Sequence, residues 1–267
     1  MSVRPKKSLG QHFLHDPNTI RKIAAAVQAP PEAPVVEIGP GTGALTEELL
    51  RHYPDLTAIE VDERAVEHLH ETLPALDVRH RDVLEVDWAA LAEEKGEALW
   101  VVGTLPYYIT SPILFSLLDA RRHLRRAVLM MQKEVAERLV AVPRTKAYGI
   151  LSVQLQLFAR PTLLFDVSRH VFHPKPDVTS AVIALDFPGS SPGQAARDDL
   201  GVDVEQVRHT VRTAFNQRRK TLRNSLKPIT SQTGHDVPPD LAGRRPEALE
   251  PAEFLGLTRS IFGASGE

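Results

Sequence analysis

Between Val35 and Phe187, short apolar runs alternate with stretches of helical periodicity, and that alternation leaves few folds open. Val35–Gly39 (VVEIG), Leu56–Val61 (LTAIEV) and Ala98–Leu105 (ALWVVGTL) read as strands, followed by the helical stretches ALTEELLRH, ERAVEHLHETL and SPILFSLLDA. DVRHRDV, from Asp77, is a weaker strand. RAVLMMQ is a further strand, KEVAERLVA and YGILSVQLQLFA are helices, and TLLFDVS and TSAVIALDF close the pattern as strands. Strands that are apolar on both sides need cover on both faces. Repeated strand–helix units therefore predict an α/β fold with a largely parallel sheet between helical layers.

Ahead of the alternation, Asp16 and Pro17 form a helix start with Ile20, Ile23, Ala24 and Val27 on one face. Beyond it, PGSSPGQ has linker composition. The remainder is helical: VEQVRHTVRTAF places Val207, Val211, Ala214 and Phe215 on one side, and TLRNSLK and PEALEPAEFLGLTRSIF follow. The expected organisation is an α/β domain over 1–187, a linker over 188–201 and an all-helical domain over 202–267.

The chain of 267 residues has no cysteine, which excludes disulfides and thiolate metal sites. Its 11 histidines show no metal-ligand spacing, so no metal is expected. No apolar run is long enough to span a bilayer, and the N-terminus lacks an apolar signal core. A cytoplasmic protein with no membrane association, acting as a monomer, is the expectation. The net charge of −2 is unevenly spread: seven Arg/Lys and no acid fall between Gln206 and Pro228. Such a run reads either as a solvated face or as a surface for phosphate.

Gly39-Pro40-Gly41-Thr42-Gly43-Ala44 joins the first long strand to its helix. Glycines there let backbone approach a ligand, and the helix start offers free N–H groups. Glu60 ends the next strand, where an acid meets ribose hydroxyls in nucleotide folds, and Asp82 is expected to close the third. Glu37, just before the loop, can orient it or reach a ligand's charged end; solvated strand ends are the plain reading of Glu37 and Asp82. The loop alone fits NAD and S-adenosylmethionine equally, and a structural glycine turn is its plain reading.

Thr104-Leu105-Pro106-Tyr107 ends the fourth strand at the same edge of the sheet. Pro106 lacks an N–H and holds Leu105 extended, which aims the Leu105 carbonyl toward the cleft. That carbonyl and the side chain at 104 are two acceptors suited to an exocyclic amine, and Tyr107 offers a face for a base. A proline-terminated strand with core tyrosines is the competing reading.

This corner resembles the Asn-Leu-Pro-Tyr motif of RNA adenine-N6 methyltransferases. Lys7–Leu14 (KSLGQHFL) is similar to their GQNFL/GQHFL segment, and Val171–Val182 (VFHPKPDVTSAV) to their F-x-P-x-P-x-V-x-S-A-V element. Ala214–Leu226 (AFNQRRKTLRNSL) closely resembles the AFxQRRKTLRNSL run of KsgA-type small-subunit (16S) ribosomal RNA adenine dimethyltransferases. The related 23S-directed methyltransferases share the first domain, and this last run is not expected in them.

The resemblance implies a Rossmann-like S-adenosylmethionine-dependent methyltransferase domain followed by a helical domain. It implies a cofactor site of Gln11, His12, Leu14, Gly39, Gly41, Glu60, Asp82 and Thr104. It places Thr104, Leu105, Pro106 and Tyr107 at the methyl-transfer point, with Phe172 as a second aromatic wall for the target adenine. Arg218, Arg219, Lys220 and Arg223 would meet 16S rRNA in the immature small ribosomal subunit. One departure stands out: the family has Asn where this chain has Thr104. A threonine offers one short, branched hydroxyl in place of an amide. Impaired methyl transfer is therefore expected. A weakly catalytic assembly factor, a 23S rRNA methyltransferase and an NAD oxidoreductase are the competing readings.

Overall fold

The computed structural model describes residues 3–6, 9–187 and 202–263, so the expected linker at 188–201 lies outside the described residues. The chain divides into two compact units, Met1–Ala136 with Arg160–Gln194, and Glu137–Ala159 with Ala195–Glu267.

In chain order the first unit contains β1 (Phe13–Leu14), α1 (Pro17–Val27), β2 (Val35–Ile38), α2 (Ala44–Leu50), β3 (Leu56–Glu60), α3 (Glu63–Thr72), β4 (Asp77–His80), α4 (Trp88–Lys95), β5 (Leu99–Thr104), α5 (Thr110–Asp119), β6 (Leu124–Gln132), the start of α6 (Lys133–Leu139), β7 (Arg160–Val167), β8 (Phe172–His173) and β9 (Ser180–Asp186). Seven strands form one sheet in the order β4-β3-β2-β5-β6-β9-β7, and β1 pairs with β8 in a separate ladder. β2 to β6 run parallel, whereas β9 lies antiparallel between β6 and β7. The chain order reverses between β2 and β5, so the carboxyl ends of those strands open a crevice.

Burial explains which strands were easy to read. All residues of β2 and β3 are buried, as a central parallel pair covered on both faces must be. Edge strand β4 has no buried residue, and its sequence signal is correspondingly weak. β4 stops at His80; Asp82, expected to close that strand, instead caps a 3-10 turn over Val83–Glu85 by accepting from Leu84 N–H at 2.9 Å. Gly103 is where β5 meets β2: a Cβ there would lie 2.7 Å from the Ile38 carbonyl oxygen. Asp16 caps α1 through Thr19 N–H at 2.7 Å, and Ile20, Ile23, Ala24 and Val27 are its buried face.

The second unit holds the end of α6, then α7 (Ile150–Phe158), α8 (Val204–Asn216), α9 (Leu222–Ser225), α10 (Lys227–Thr233), α11 (Pro239–Ala242) and α12 (Pro251–Phe262). Its membership differs from the expected boundaries, which place Glu137–Ala159 in the α/β domain over 1–187. The reason is packing: α7 lies against α8 and α12. Tyr148, fully buried, donates to the Leu249 carbonyl at 2.8 Å and meets Phe215 edge-on, while Phe215 stacks on Phe254. Val207, Val211, Ala214 and Phe215 form the buried face of α8, as its periodicity predicts. Among the described residues no helix is long and apolar enough to cross a membrane.

Candidate active site

One cavity opens at the crevice between β2 and β5, and every residue expected for the cofactor or the transfer point lines it. From the N-terminal segment come Gln11, His12 and Leu14; from the strand ends and the turns beyond them come Gly39, Gly41, Glu60, Asp82, Thr104, Leu105, Pro106 and Tyr107; from β8 comes Phe172.

The glycine loop is shaped by its neighbours. Gly41 has φ +57°, and a Cβ on it would lie 2.9 Å from the Phe13 ring, so both backbone and space demand glycine. Glu60 then locks the loop. One carboxylate oxygen accepts from Gly41 N–H at 3.1 Å, and the other from Val61 and Asp62 N–H at 2.9 Å each. Burial nevertheless pushes the Glu60 carboxyl up. Glu37 lies deeper, 2% exposed, and burial raises its pKa to about 8, with the charge of Glu60 adding to the shift. Glu37 Oε2 has no hydrogen-bond partner among the described residues.

A third acid, Asp62, behaves in the opposite way. It accepts from Arg64 Nε at 3.0 Å and from Gln11 Nε2 at 3.0 Å, and Lys6 Nζ lies 3.6 Å away. The Arg64 hydrogen bonds hold its pKa down at about 2, with Gln11 and Lys6 assisting. Gln11 in turn accepts from Lys6 N–H at 2.8 Å, and Arg64 donates to the Arg4 carbonyl at 3.1 Å. The N-terminal segment is thus fastened to the start of α3, two residues from Glu60. Sequence reading missed Asp62, although an acid just ahead of a helical stretch is a capping signal, and Asp62 does cap α3.

The Thr104–Tyr107 corner is held from three sides. Leu105 N–H donates to the Met130 carbonyl at 2.9 Å, Ile109 N–H to the Pro106 carbonyl at 3.2 Å, and Tyr107 and Ser180 share a hydroxyl–hydroxyl bond of 2.6 Å. Ser180 was another residue the sequence reading did not single out; it opens β9 within the quoted TSAV stretch. His12 stacks on the Tyr107 ring, centroids 5.7 Å apart and planes 25° from parallel. Its Nδ1 lies 2.7 Å from the Pro174 carbonyl, and since a carbonyl only accepts, Nδ1 carries the proton. Phe172 is buried, paired with Leu14 in the β1–β8 ladder. Thr104 is half-buried at the end of β5, and Tyr108 stands 60% exposed at the rim.

In the second unit, Arg219, Lys220 and Arg223 are exposed, whereas the Arg218 guanidinium hydrogen-bonds Glu247 and two main-chain carbonyls.

A parallel sheet with reversed strand order, a glycine loop after one central strand, an acid after the next and a Leu-Pro-Tyr corner across the crevice define a Rossmann-like nucleotide-cleft fold of the RNA methyltransferase type. The sequence profile described as ribosomal RNA adenine dimethylase matches residues 3–245, and the chain belongs to that family. It is 58% identical to the ribosomal RNA small subunit methyltransferase A of Salinibacter ruber, over 97% of this chain and 85% of that protein. It is 49% identical to the protein of the same name from Prosthecochloris aestuarii, over 84% and 82%. Among solved structures it resembles a dimethyladenosine transferase from Plasmodium falciparum, with a TM-score of 0.76 and 26% identity over 92% of this chain and 96% of that one. It also resembles the 23S rRNA methyltransferase ErmE, with a TM-score of 0.67 and 27% identity over 93% and 99%.

Proposed function

We propose that the chain transfers methyl groups from S-adenosylmethionine to N6 of adjacent adenosines in small-subunit (16S) rRNA. The product is N6,N6-dimethyladenosine, made on the immature subunit during ribosome biogenesis by a monomeric protein. The observation that carries this reading is that a single cavity gathers both residue sets, the nucleotide acids with the glycine loop and the Thr104–Tyr107 corner with Phe172.

The residues fit the cofactor. An unpartnered buried carboxyl at Glu37 suits a cationic ligand, and Glu60, at the end of β3, would accept from ribose hydroxyls. Asp82 would take the adenine amine, while Gln11, His12 and Leu14 cover the bound nucleoside. When bound, S-adenosylmethionine supplies a methyl group already activated on sulfur.

The target base must leave its stack to reach this depth. Its N6 lone pair is delocalised into the ring, so N6 is a weak nucleophile. Two acceptors, the Leu105 carbonyl and the Thr104 hydroxyl, draw on the N6–H bonds and favour a more tetrahedral nitrogen. Tyr107 and Phe172 hold the ring in line for attack, and Ser180 and His12 fix Tyr107. Thr104 favours one further reading, that this copy acts chiefly as an assembly factor on the subunit.

Glu37 gives the site a pH signature. Its folded pKa of about 8 lies above the ordinary carboxyl value, so its contribution to stability is complete below about pH 4.5 and is lost as pH rises toward 8. The melting temperature of the ligand-free protein should fall across that window, and the fall should shrink in Glu37→Gln. A cationic ligand favours the ionised form, so S-adenosylmethionine binding near pH 7 should release protons. Calorimetry in two buffers of different ionisation enthalpy checks this; binding with no proton release contradicts it.

The reading as a whole is tested by mass spectrometry of rRNA from cells whose only copy of the enzyme is this sequence. N6,N6-dimethyladenosine in small-subunit rRNA supports it. Its absence with intact subunit assembly supports the assembly-factor reading instead.

A further inference from the structure

Arg218 opens the Arg-Arg-Lys run of an exposed basic stretch, yet its guanidinium faces protein. Its Nε donates to Glu247 Oε2 at 2.7 Å, and its two terminal nitrogens donate to the Lys146 and Thr145 carbonyls at 2.9 Å each. Glu247 acts a second time through its main chain, its carbonyl accepting from Arg144 N–H at 2.7 Å. Arg144 has φ +68°, a left-handed conformation that residues other than glycine seldom adopt. One planar fork and one hydrogen bond from the Arg144 amide therefore hold Arg144–Lys146 in a single shape.

Glu247 neutralises Arg218, so what Arg218 supplies is geometry rather than outward charge. On the two stretches that Arg218 joins, the cations facing water are Arg144, Lys146, Arg219 and Lys220, all exposed and none ion-paired with another described residue. Because Arg218 bonds directly to the main chain of the 142–146 loop, these four lie on adjoining stretches of one surface. The two stretches are more than seventy residues apart in sequence, and no charge pattern along the chain unites them.

We propose that the 142–146 loop is a second, non-contiguous part of the surface that docks on rRNA phosphates, and that Arg218 is the positioning residue that presents it. This rests on the reading of the chain as an rRNA-modifying protein. RNA is the partner the chemistry favours, because four exposed cations, with Glu247 between their two stretches already paired to Arg218, match a phosphate backbone, whose binding scales with the cations that neutralise it.

The test is the salt dependence of binding to undermethylated small subunits and to protein-free 16S rRNA. The double variant Arg144→Ser, Lys146→Ser changes only exposed side chains. It should flatten the slope of log K against log salt by about 1–2 on both targets, with S-adenosylmethionine affinity unchanged. Arg218→Lys keeps the charge and loses the fork, and should flatten the slope in the same direction. A double variant with the wild-type slope overturns the proposal even if Arg218→Lys fails to fold. A change seen on subunits and absent on protein-free rRNA also overturns it, pointing to an acidic protein partner. Wild-type protein that binds rRNA with no salt dependence overturns the rRNA-docking reading itself.

Discussion

Thr104→Asn should raise the rate of methyl transfer by about 10²-fold, the scale on which one transition-state hydrogen-bonding group acts in a pre-organised site. The corner has little room to adjust. Thr104 ends β5 in register with Met130, and the next residue is tied to the Met130 carbonyl at 2.9 Å. Beyond Pro106, the Tyr107 hydroxyl is fixed to Ser180 at 2.6 Å. A backbone paired to β6 at residue 104 and pinned again just beyond it cannot advance to make up for a shorter side chain. The threonine hydroxyl therefore reaches N6 less well than an amide oxygen would, and its branched methyl occupies space where asparagine has an NH₂ donor. The gain should appear in kcat, with subunit binding unchanged, because the interaction belongs to the reacting nitrogen. Equal rates for the two forms would contradict this account of the corner.

Glu60→Ala should raise the Kd for S-adenosylmethionine by about 10²-fold or more. Two hydrogen bonds from ribose hydroxyls to a carboxylate are worth roughly 1.5–3 kcal/mol each, and the loss is compounded within the protein. Removing the carboxylate also strips the acceptor from the Gly41, Val61 and Asp62 amides, which shape the glycine loop and the turn into α3. Glu60→Gln keeps the size and part of the acceptor function, and its loss should be smaller. Isothermal calorimetry, with thermal melting to verify folding, separates ligand contact from collapse of the loop. Wild-type affinity in a folded Glu60→Ala protein would remove Glu60 from the cofactor site.

Much of this site was legible in the sequence because its parts sit at strand ends, which hydrophobic patterning locates well. The glycine loop, Glu60 and the Leu-Pro-Tyr corner follow directly from where β2, β3 and β5 stop. Elements without an amphipathic signature were harder. α4 went unread because its stretch, WAALAEEK, has little apolar periodicity, although Asp87 and Gly96 mark its two ends. The antiparallel placement of β9 between β6 and β7 depends on pairing partners far apart in the chain, which no local pattern encodes. Long-range bonds such as Gln11–Asp62, Tyr107–Ser180 and Arg218–Glu247 share that property. The basic run illustrates the limit most clearly: seven cations looked alike in sequence, and the structure separates Arg218, turned inward, from Arg219 and Lys220, which face water.

The central claim, that this cavity methylates adenosine N6 in small-subunit rRNA, is tested most directly by tritium transfer. Purified protein, as Thr104 and as Thr104→Asn, would be incubated with labelled S-adenosylmethionine and undermethylated small subunits, and the rRNA digested to nucleosides. The account predicts label in N6,N6-dimethyladenosine from the small-subunit rRNA, reached faster by the asparagine form. No label in small-subunit rRNA from either form, or label only in 23S rRNA, would contradict it.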